Sequence, residues 1–553
     1  MSMEGRIYKI RFLFFGLCLA LFSRLIYLQL IEGPQLTVEG LSGRVQELPV
    51  EVPRGEIVDR NGVPLTNTTV QYNIAIFPNQ IGSIEKASNI LAEYTGQEPV
   101  KIAAEIRANH RPFKLPWSID AGLAAQLNRL RMPGVVAMVE RVRYDQSSMA
   151  AHVIGYINSA DNRGVSGIEG KYDDFLRTGQ STYLAAIVDA GQQIIPGLGY
   201  KKLNYRADVP PNNIVLTLDI SIQKIVEEVL DKSQVSGAVV VLRPSTGEVL
   251  AMASRPNFNP NYVGTYLDKV HSPLVNKAIA AYQPGSVFKL VLAAAALEEG
   301  IVKPDDTFYD PGYIDVEGHR FKGWNFESGG NGTITFQQAI AYSSNPVCIS
   351  VGLKLGSDKL LKYAKLMGFG EKTGIELESE GTGNLPTSDS TFAGDMANLS
   401  IGQGSLEATP LQIANLVSTI VNNGVKVEPY LVNRMTTPDG YIIKKYNHRN
   451  NQMVLSAETA AKIRAMLVMT TRNGTGQAAY VEQVGSAGKT GTAETGRHNA
   501  TGQSINHAWF AGYAPLENPE IVVVVFVEDG MSGSEVAAPL FHDIVSRVLA
   551  KTS

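Results

Sequence analysis

The hydrophobic pattern changes character three times along the chain. Residues 12–31 are apolar almost without interruption, broken only by Ser23, Arg24 and Gln29, and they follow the basic residues Arg6, Lys9 and Arg11. About 20 such residues span a bilayer core, and a basic flank marks the cytoplasmic side. The pattern predicts a single membrane-spanning helix with a cytoplasmic N-terminus and the rest of the chain on the other side. Ser23-Arg24-Leu25-Ile26-Tyr27 offers no small-residue cleavage site, so an uncleaved anchor is expected. Arg24 is costly at mid-membrane and should snorkel to the outer interface or face a partner helix.

Residues 32–206 alternate short β-like runs, such as 70–77, with helical stretches at 102–108 and 121–130, as in a mixed α/β domain. From residue 237 the pattern is that of a larger core. The runs 237–242 and 248–254 flank the turn Pro244-Ser245-Thr246-Gly247 and predict a hairpin. Three further strands are predicted in the segments 484–494, 508–513 and 521–527, which completes a five-stranded antiparallel sheet with helices on both faces. Leu540, Phe541, Ile544, Val545, Val548 and Leu549 recur at helical spacing and add a final amphipathic helix. The turn cluster Pro210-Pro211-Asn212-Asn213 puts a boundary just before it. The expected division is therefore a tail at 1–11, an anchor at 12–31, one domain at 32–206 and a second at 207–553, an α+β chain.

Composition narrows the function classes. The 553 residues exceed one ordinary core, and 44% hydrophobic with 18% charged is globular. A net charge of −4 gives no electrostatic reason to expect nucleic-acid binding. Cys18 lies in the anchor and Cys348 far beyond it, so neither an intramolecular disulfide nor a cysteine zinc site is expected. Cys348 reads as a small buried apolar residue. Eight histidines without a His-Glu-x-x-His pattern give metal catalysis no support.

The chemistry lies in three triplets: Ser286-Val287-Phe288-Lys289, Ser343-Ser344-Asn345 and Lys489-Thr490-Gly491. Ser286 follows Pro284-Gly285 and opens an apolar run through Leu297, which reads as the start of a buried helix. Positions i and i+3 share a helix face, so the Lys289 amine is expected to reach the Ser286 hydroxyl, with the helix N-terminus adding free N–H groups and partial positive charge. A lysine acts as a general base only when neutral, and desolvation or a second cation, here Lys489, would lower its pKa. Glycines around Lys489 allow a ligand backbone close to the strand. An edge strand beside Ser286 would offer the Thr492 N–H as an oxyanion donor alongside that of Ser286.

These triplets form the signature set of penicillin-binding proteins and serine β-lactamases. Further motifs extend the match over nearly the whole chain: Arg54-Gly55-Glu56-Ile57-Val58-Asp59-Arg60-Asn61-Gly62, Gly164-Val165-Ser166-Gly167-Ile168-Glu169, Gly402-Gln403-Gly404, Thr409-Pro410-Leu411-Gln412 and Trp509-Phe510-Ala511-Gly512-Tyr513. The chain resembles the class B penicillin-binding proteins, membrane-anchored peptidoglycan D,D-transpeptidases. The resemblance implies that residues 32–206 form an elongated pedestal or dimerisation domain, and residues 207–553 a β-lactamase-like transpeptidase domain. It makes Ser286 the acylated nucleophile, Lys289 its proton partner and Ser343 a relay to the leaving amine. Asn345 would hold a stem-peptide amide, Lys489 would add positive potential, and Thr490 would bind the terminal carboxylate of a D-Ala-D-Ala donor or a penicillin. Gly491 and Thr492 would line the substrate, with Thr492 completing the oxyanion hole. No metal or cofactor is implied. The implied partners are peptidoglycan stem peptides, β-lactams and a glycan polymerase of the SEDS (shape, elongation, division and sporulation) family.

Two other function classes compete. Glu380-Gly381-Thr382-Gly383-Asn384 imitates the Glu-x-x-x-Asn of class A β-lactamases, but the surrounding Thr373-Gly374-Ile375-Glu376-Leu377 follows the transpeptidase pattern, so Glu380 reads as structural. Class D β-lactamases share Ser-x-Phe-Lys, and Asn345 stands against them. A catalytically silent regulator of a glycan polymerase is disfavoured by the intact triplets.

Overall fold

The computed structural model describes residues 3–33, 45–51, 53–158, 162–177, 182–189, 191, 193–195, 199–203, 211–387, 392–446, 451–498, 502 and 504–550. The anchor is helix α1 (Met3–Ile26), continued by a π-helical turn at Tyr27–Ile31. Within it Arg11–Ile31 is long and apolar enough to cross a membrane. Arg24 pairs with Glu32 at 3.7 Å and lies over the Tyr27 ring at 5.1 Å. A carboxylate and an aromatic face thus meet this cation where the helix ends.

Backbone contacts divide the chain into two compact units. The first comprises Met1–Arg54, Thr69–Val142 and Arg177–Pro211. In it the strand Thr69–Ile76 pairs antiparallel with Phe113–Ile119 on one side and Val135–Val142 on the other. Side chains alternate across a strand, and this one is buried on both faces at its end. Ile74 and Ile76 meet Leu91, Ile102, Ile106 and Leu127 from three flanking helices. Ala75 and Phe77 instead meet Leu48, Val50, Leu184 and Ala186 of a second sheet.

The second unit comprises Gly55–Thr68, Arg143–Leu176 and Asn212–Ser553, so two stretches N-terminal to residue 206 pack with the C-terminal half. Ile57 and Val58 pair in parallel with Ile214 and Val215. Buried Asp59 closes this turn by accepting from the N–H groups of Asn61, Val63 and Ile220 at 2.8, 2.8 and 3.2 Å. Arg143, held by Glu169 of its own stretch at 2.6 Å, joins the two stretches by donating to the Gly55 carbonyl at 2.7 Å. The boundary expected after residue 206 falls among residues 204–210, outside those described.

The expected five-stranded sheet forms the centre of this unit. Its strands are β1 (Ser236–Leu242), β2 (Val249–Arg255), β3 (Ala487–His498), β4 (Ser504–Ala514) and β5 (Ile521–Gly530). They lie in the order β2-β1-β5-β4-β3, all antiparallel. Val240, Leu242, Trp509, Val522, Val524 and Phe526 face one core together with helices α2 (Lys289–Glu298) and α3 (Pro410–Val421). Val239, Val241, Phe510, Val523 and Val525 face the other core with Phe541, Ile544, Val545 and Val548 of the C-terminal helix Ala538–Leu549. Burial on both faces explains the unbroken valine runs in the sequence. The strand order leaves β3 at an edge of the sheet, beside Gly285 and Val287, which immediately precede α2.

Candidate active site

Ser286 lies in a 3₁₀ turn (Gly285–Phe288) that runs directly into α2. Two glycines permit that turn. Gly285 has φ +54°, and a Cβ on it would stand 2.5 Å from the Thr492 carbonyl oxygen. Gly402 has φ +76°, and a Cβ there would stand 1.9 Å from the Gly285 oxygen, while the Gly402 carbonyl accepts from the Gly285 N–H at 3.0 Å. The Gly402-Gln403-Gly404 motif therefore supports the serine turn from below. Ser286 is half-buried, and among the described residues its hydroxyl makes no hydrogen bond.

Lys289 is fully buried and points elsewhere than the i, i+3 argument places it. Its Nζ donates to the Ser343 carbonyl at 2.8 Å, the Ser343 Oγ at 3.3 Å and the Asn345 Oδ1 at 2.7 Å. Three acceptors match the three donors of an ammonium. The expected hydrogen bond to the Ser286 hydroxyl is therefore corrected: the three acceptors of the second triplet hold the amine, although the 3₁₀ turn stacks positions i and i+3. Ser343 is held at φ +58°, an unusual conformation for serine, and it aims both its carbonyl and its hydroxyl at Lys289. Ser344 caps the helix Asn345–Leu355 by accepting from the Val347 N–H at 3.3 Å. The Asn345 amide is committed at both ends, its Nδ2 donating to the Lys322 carbonyl at 2.9 Å.

The third triplet lies on β3. Lys489 is fully buried, and its Nζ donates to the Thr490 carbonyl at 3.0 Å. Thr490 Oγ1 lies 2.6 Å from Thr475 Oγ1. Gly491 packs so closely on the serine turn that a Cβ would stand 2.8 Å from a Val287 methyl and 3.0 Å from the Pro284 oxygen. Thr492 Oγ1 accepts from the Gly533 N–H at 3.3 Å. In antiparallel pairing the N–H and C=O of one residue point to the same edge. Since the Thr492 carbonyl faces Gly285, its N–H points toward the serine turn as well, as an oxyanion donor requires.

Burial pulls the Lys289 amine down to about 8, against the opposing influence of Cys348 and Asp310. Burial also holds Lys489 well below the usual lysine range, and the positive charge of Lys289 lowers it further. Of the two expected causes, desolvation and a second cation, desolvation is the larger one that acts on Lys289. Lys289 has three hydrogen-bond partners and Lys489, among the described residues, one. Cys348 is fully buried, and burial raises its thiol. It is inert packing beside the amines, as its sequence context indicates.

Sequence reasoning missed three residues here. Asp310 is a buried carboxylate that accepts from the Gly312 N–H at 2.8 Å and from Asn331 Nδ2 at 2.6 Å, and its charge supports a protonated Lys289. Thr475 touches Thr490, and the exposed Trp324 donates its indole N–H to the Tyr342 carbonyl at 3.0 Å, next to Ser343. An Asp-Pro-Gly turn, a Gly-Thr-Gly loop and a lone tryptophan carry no signal of their own. Glu380, by contrast, is occupied by backbone. It accepts from the Thr373 N–H at 2.7 Å, the Thr373 hydroxyl at 2.6 Å and the Gly374 N–H at 3.3 Å, as a structural carboxylate does. Among the described residues no cluster of His, Cys, Asp or Glu could hold a metal ion.

A serine at the head of a buried helix, two desolvated amines and an open strand edge make an arrangement suited to serine-based acyl transfer. Comparison with known proteins agrees. The penicillin-binding protein transpeptidase domain matches residues 237–546, and the penicillin-binding protein dimerisation domain matches residues 49–202. Stage V sporulation protein D of Bacillus subtilis is 33% identical over 546 residues, covering 95% of this chain and 82% of that protein. Peptidoglycan D,D-transpeptidase MrdA of Acinetobacter baumannii is 29% identical, covering 97% and 88%. The Escherichia coli K12 protein of the same name is 27% identical, covering 96% and 91%. The chain belongs to the penicillin-binding protein transpeptidase family, and it carries both the transpeptidase and the dimerisation domain.

Proposed function

We propose that this chain is a peptidoglycan D,D-transpeptidase that cross-links cell wall through an acyl-enzyme on Ser286. The observation that carries this reading is the half-buried Ser286 hydroxyl, which makes no hydrogen bond among the described residues and lies in a turn that packs on β3 through Gly285 and Gly491 and leads into Lys289, itself bonded to Ser343. Ser286 Oγ attacks the carbonyl between the two D-alanines of a stem peptide and loses its proton to the amine system of Lys289 and Ser343. The negative oxygen that develops is met by the N–H groups of Ser286 and Thr492. As the C–N bond breaks, Ser343 hands the proton to the departing D-alanine. An acceptor amine then attacks the ester, yielding the cross-link and free Ser286. Lys489 supplies positive potential whenever it is protonated, and Asn345 positions Lys289 as well as a stem-peptide amide. Gly491 keeps the strand open to the substrate, and Thr490 binds its terminal carboxylate. A β-lactam takes the same path as far as the ester, where its opened ring cannot leave.

Transfer itself tests this reading. A D-Ala-D-Ala stem peptide and an acceptor amine should yield a joined peptide with one D-alanine released per bond formed. Release without a joined product, at every acceptor concentration, would favour hydrolysis.

The pedestal at 32–206, the transpeptidase domain at 207–553 and a cytoplasmic N-terminus complete the proposal. They are supported by the match at residues 49–202, the apolar helix Arg11–Ile31 and its basic flank. The anchor and pedestal carry no chemistry, and a SEDS-family glycan polymerase is their proposed partner. Because residues 55–68 and 143–176 belong to the catalytic unit, deleting everything before residue 207 would damage it. Exchange of residues 1–31 for an unrelated membrane span is the cleaner test. Co-purification in mild detergent should recover the polymerase with the native chain and much less with the exchanged one. Equal recovery would refute an anchor-borne contact.

A further inference from the structure

Thr475 lies in the loop after the helix Ala457–Asn473, far in sequence from two of the three triplets, yet the fold wedges it between the second and the third. Its N–H donates to the Ala341 carbonyl at 3.2 Å, two residues before Ser343. The preceding Gly474 lies so close to that carbonyl that a Cβ would stand 2.3 Å from it. The next residue, Gly476, donates its N–H to the Thr470 carbonyl at 3.0 Å. The loop is therefore fixed to the helix before Ser343 and to its own parent helix. Its hydroxyl lies 2.6 Å from that of Thr490, which is 6% exposed.

Two hydroxyls hold two protons, and one is consumed in the bond between them. With Thr475 as donor, a Thr490 lone pair is filled and the Thr490 proton is free to point at a ligand. A chain of hydroxyls polarises each member, so Thr490 becomes a stronger donor than an isolated threonine. Donation to a carboxylate is where that gain is largest, because hydrogen bonds to charged partners are about twice as strong as neutral ones. Resting on the function proposed above, we infer that Thr475 is a positioning residue of the acyl-donor site: its hydroxyl donates to Thr490 and thereby directs the Thr490 proton at the substrate's terminal carboxylate.

The test compares two acyl donors on the full-length protein: benzylpenicillin, with a free carboxylate, and its methyl ester, without one. Thr475→Val keeps the shape and removes the hydroxyl, and Thr475→Ser restores it. For benzylpenicillin, Thr475→Val is expected to lose about 10- to 100-fold in the second-order acylation constant, mostly through weaker binding, with Thr475→Ser close to wild type. For the ester the two variants should agree with wild type within about threefold, since the interaction with a charged partner is already gone. In the Thr490→Val background, Thr475→Val should add little, because the two hydroxyls act as one unit. An equal loss with both donors would mean that Thr475 only shapes the loop, and no loss with either would remove it from the site; both outcomes overturn the inference. Wild-type protein that fails to form an adduct on Ser286 would instead contradict the function on which the inference rests.

Discussion

Ser286→Ala protein is expected to remain folded and membrane-associated and to lose all covalent labelling by a fluorescent penicillin. The side chain is half-buried and makes no hydrogen bond among the described residues, so its removal leaves no buried partner unsatisfied. The turn that holds it depends on Gly285 and Gly402, which the substitution does not touch. The loss should therefore be chemical and complete. In-gel fluorescence on detergent-extracted protein, with circular dichroism as the control for folding, gives the result. Labelling of a folded Ser286→Ala protein at the wild-type level would mean that another nucleophile is acylated.

Lys289→Met should slow acylation by about 10²- to 10⁴-fold, the usual contribution of a positioned proton-transfer group. Binding of the β-lactam before acylation should change much less, because the buried amine faces Ser343 and Asn345 and not the open edge of β3. The pH dependence has a definite sign. With the Lys289 amine at about 8, its neutral fraction rises as pH rises through that value, so wild-type acylation should climb between roughly pH 7 and 9 and then level off. Lys289→Met should abolish that limb. Linkage predicts the same direction for stability: between about 8 and the unfolded lysine value near 10.4, the unfolded chain binds the extra proton, so the contribution of this group to stability increases with pH. Stopped-flow acylation rates across this range provide the measurement. A loss under threefold, or an unchanged pH limb, would remove Lys289 from the proton path.

The fold was legible where a physical pattern is local. Apolar runs bounded by turns gave β1, β2 and β5, and the apolar run after Ser286 gave α2, because these segments are buried on every side. The recruitment of residues 55–68 and 143–176 into the catalytic unit was not legible. It rests on a two-residue parallel pairing and on contacts such as the Ala150 N–H donating to Glu227 at 2.7 Å, between segments distant in sequence, and neither leaves a periodic trace. At the site, the three triplets fixed which residues meet but not where their polar atoms point. Lys289 turns to Ser343 because Ser343 adopts φ +58°, a conformation that no serine-containing triplet announces. The lowering of both lysine amines follows from burial, which exists only once the chain has folded. Thr475 shows the same limit, since its hydroxyl matters only through a contact with a strand 15 residues away.

The central claim is a serine acyl-enzyme that waits for an amine. Its most direct test is intact-protein mass spectrometry after benzylpenicillin treatment, followed by peptide mapping. The account predicts one penicilloyl group per chain, located on Ser286 and persisting after free drug is removed. An adduct on any other residue, or one that disappears rapidly by hydrolysis and regenerates free enzyme, would contradict it.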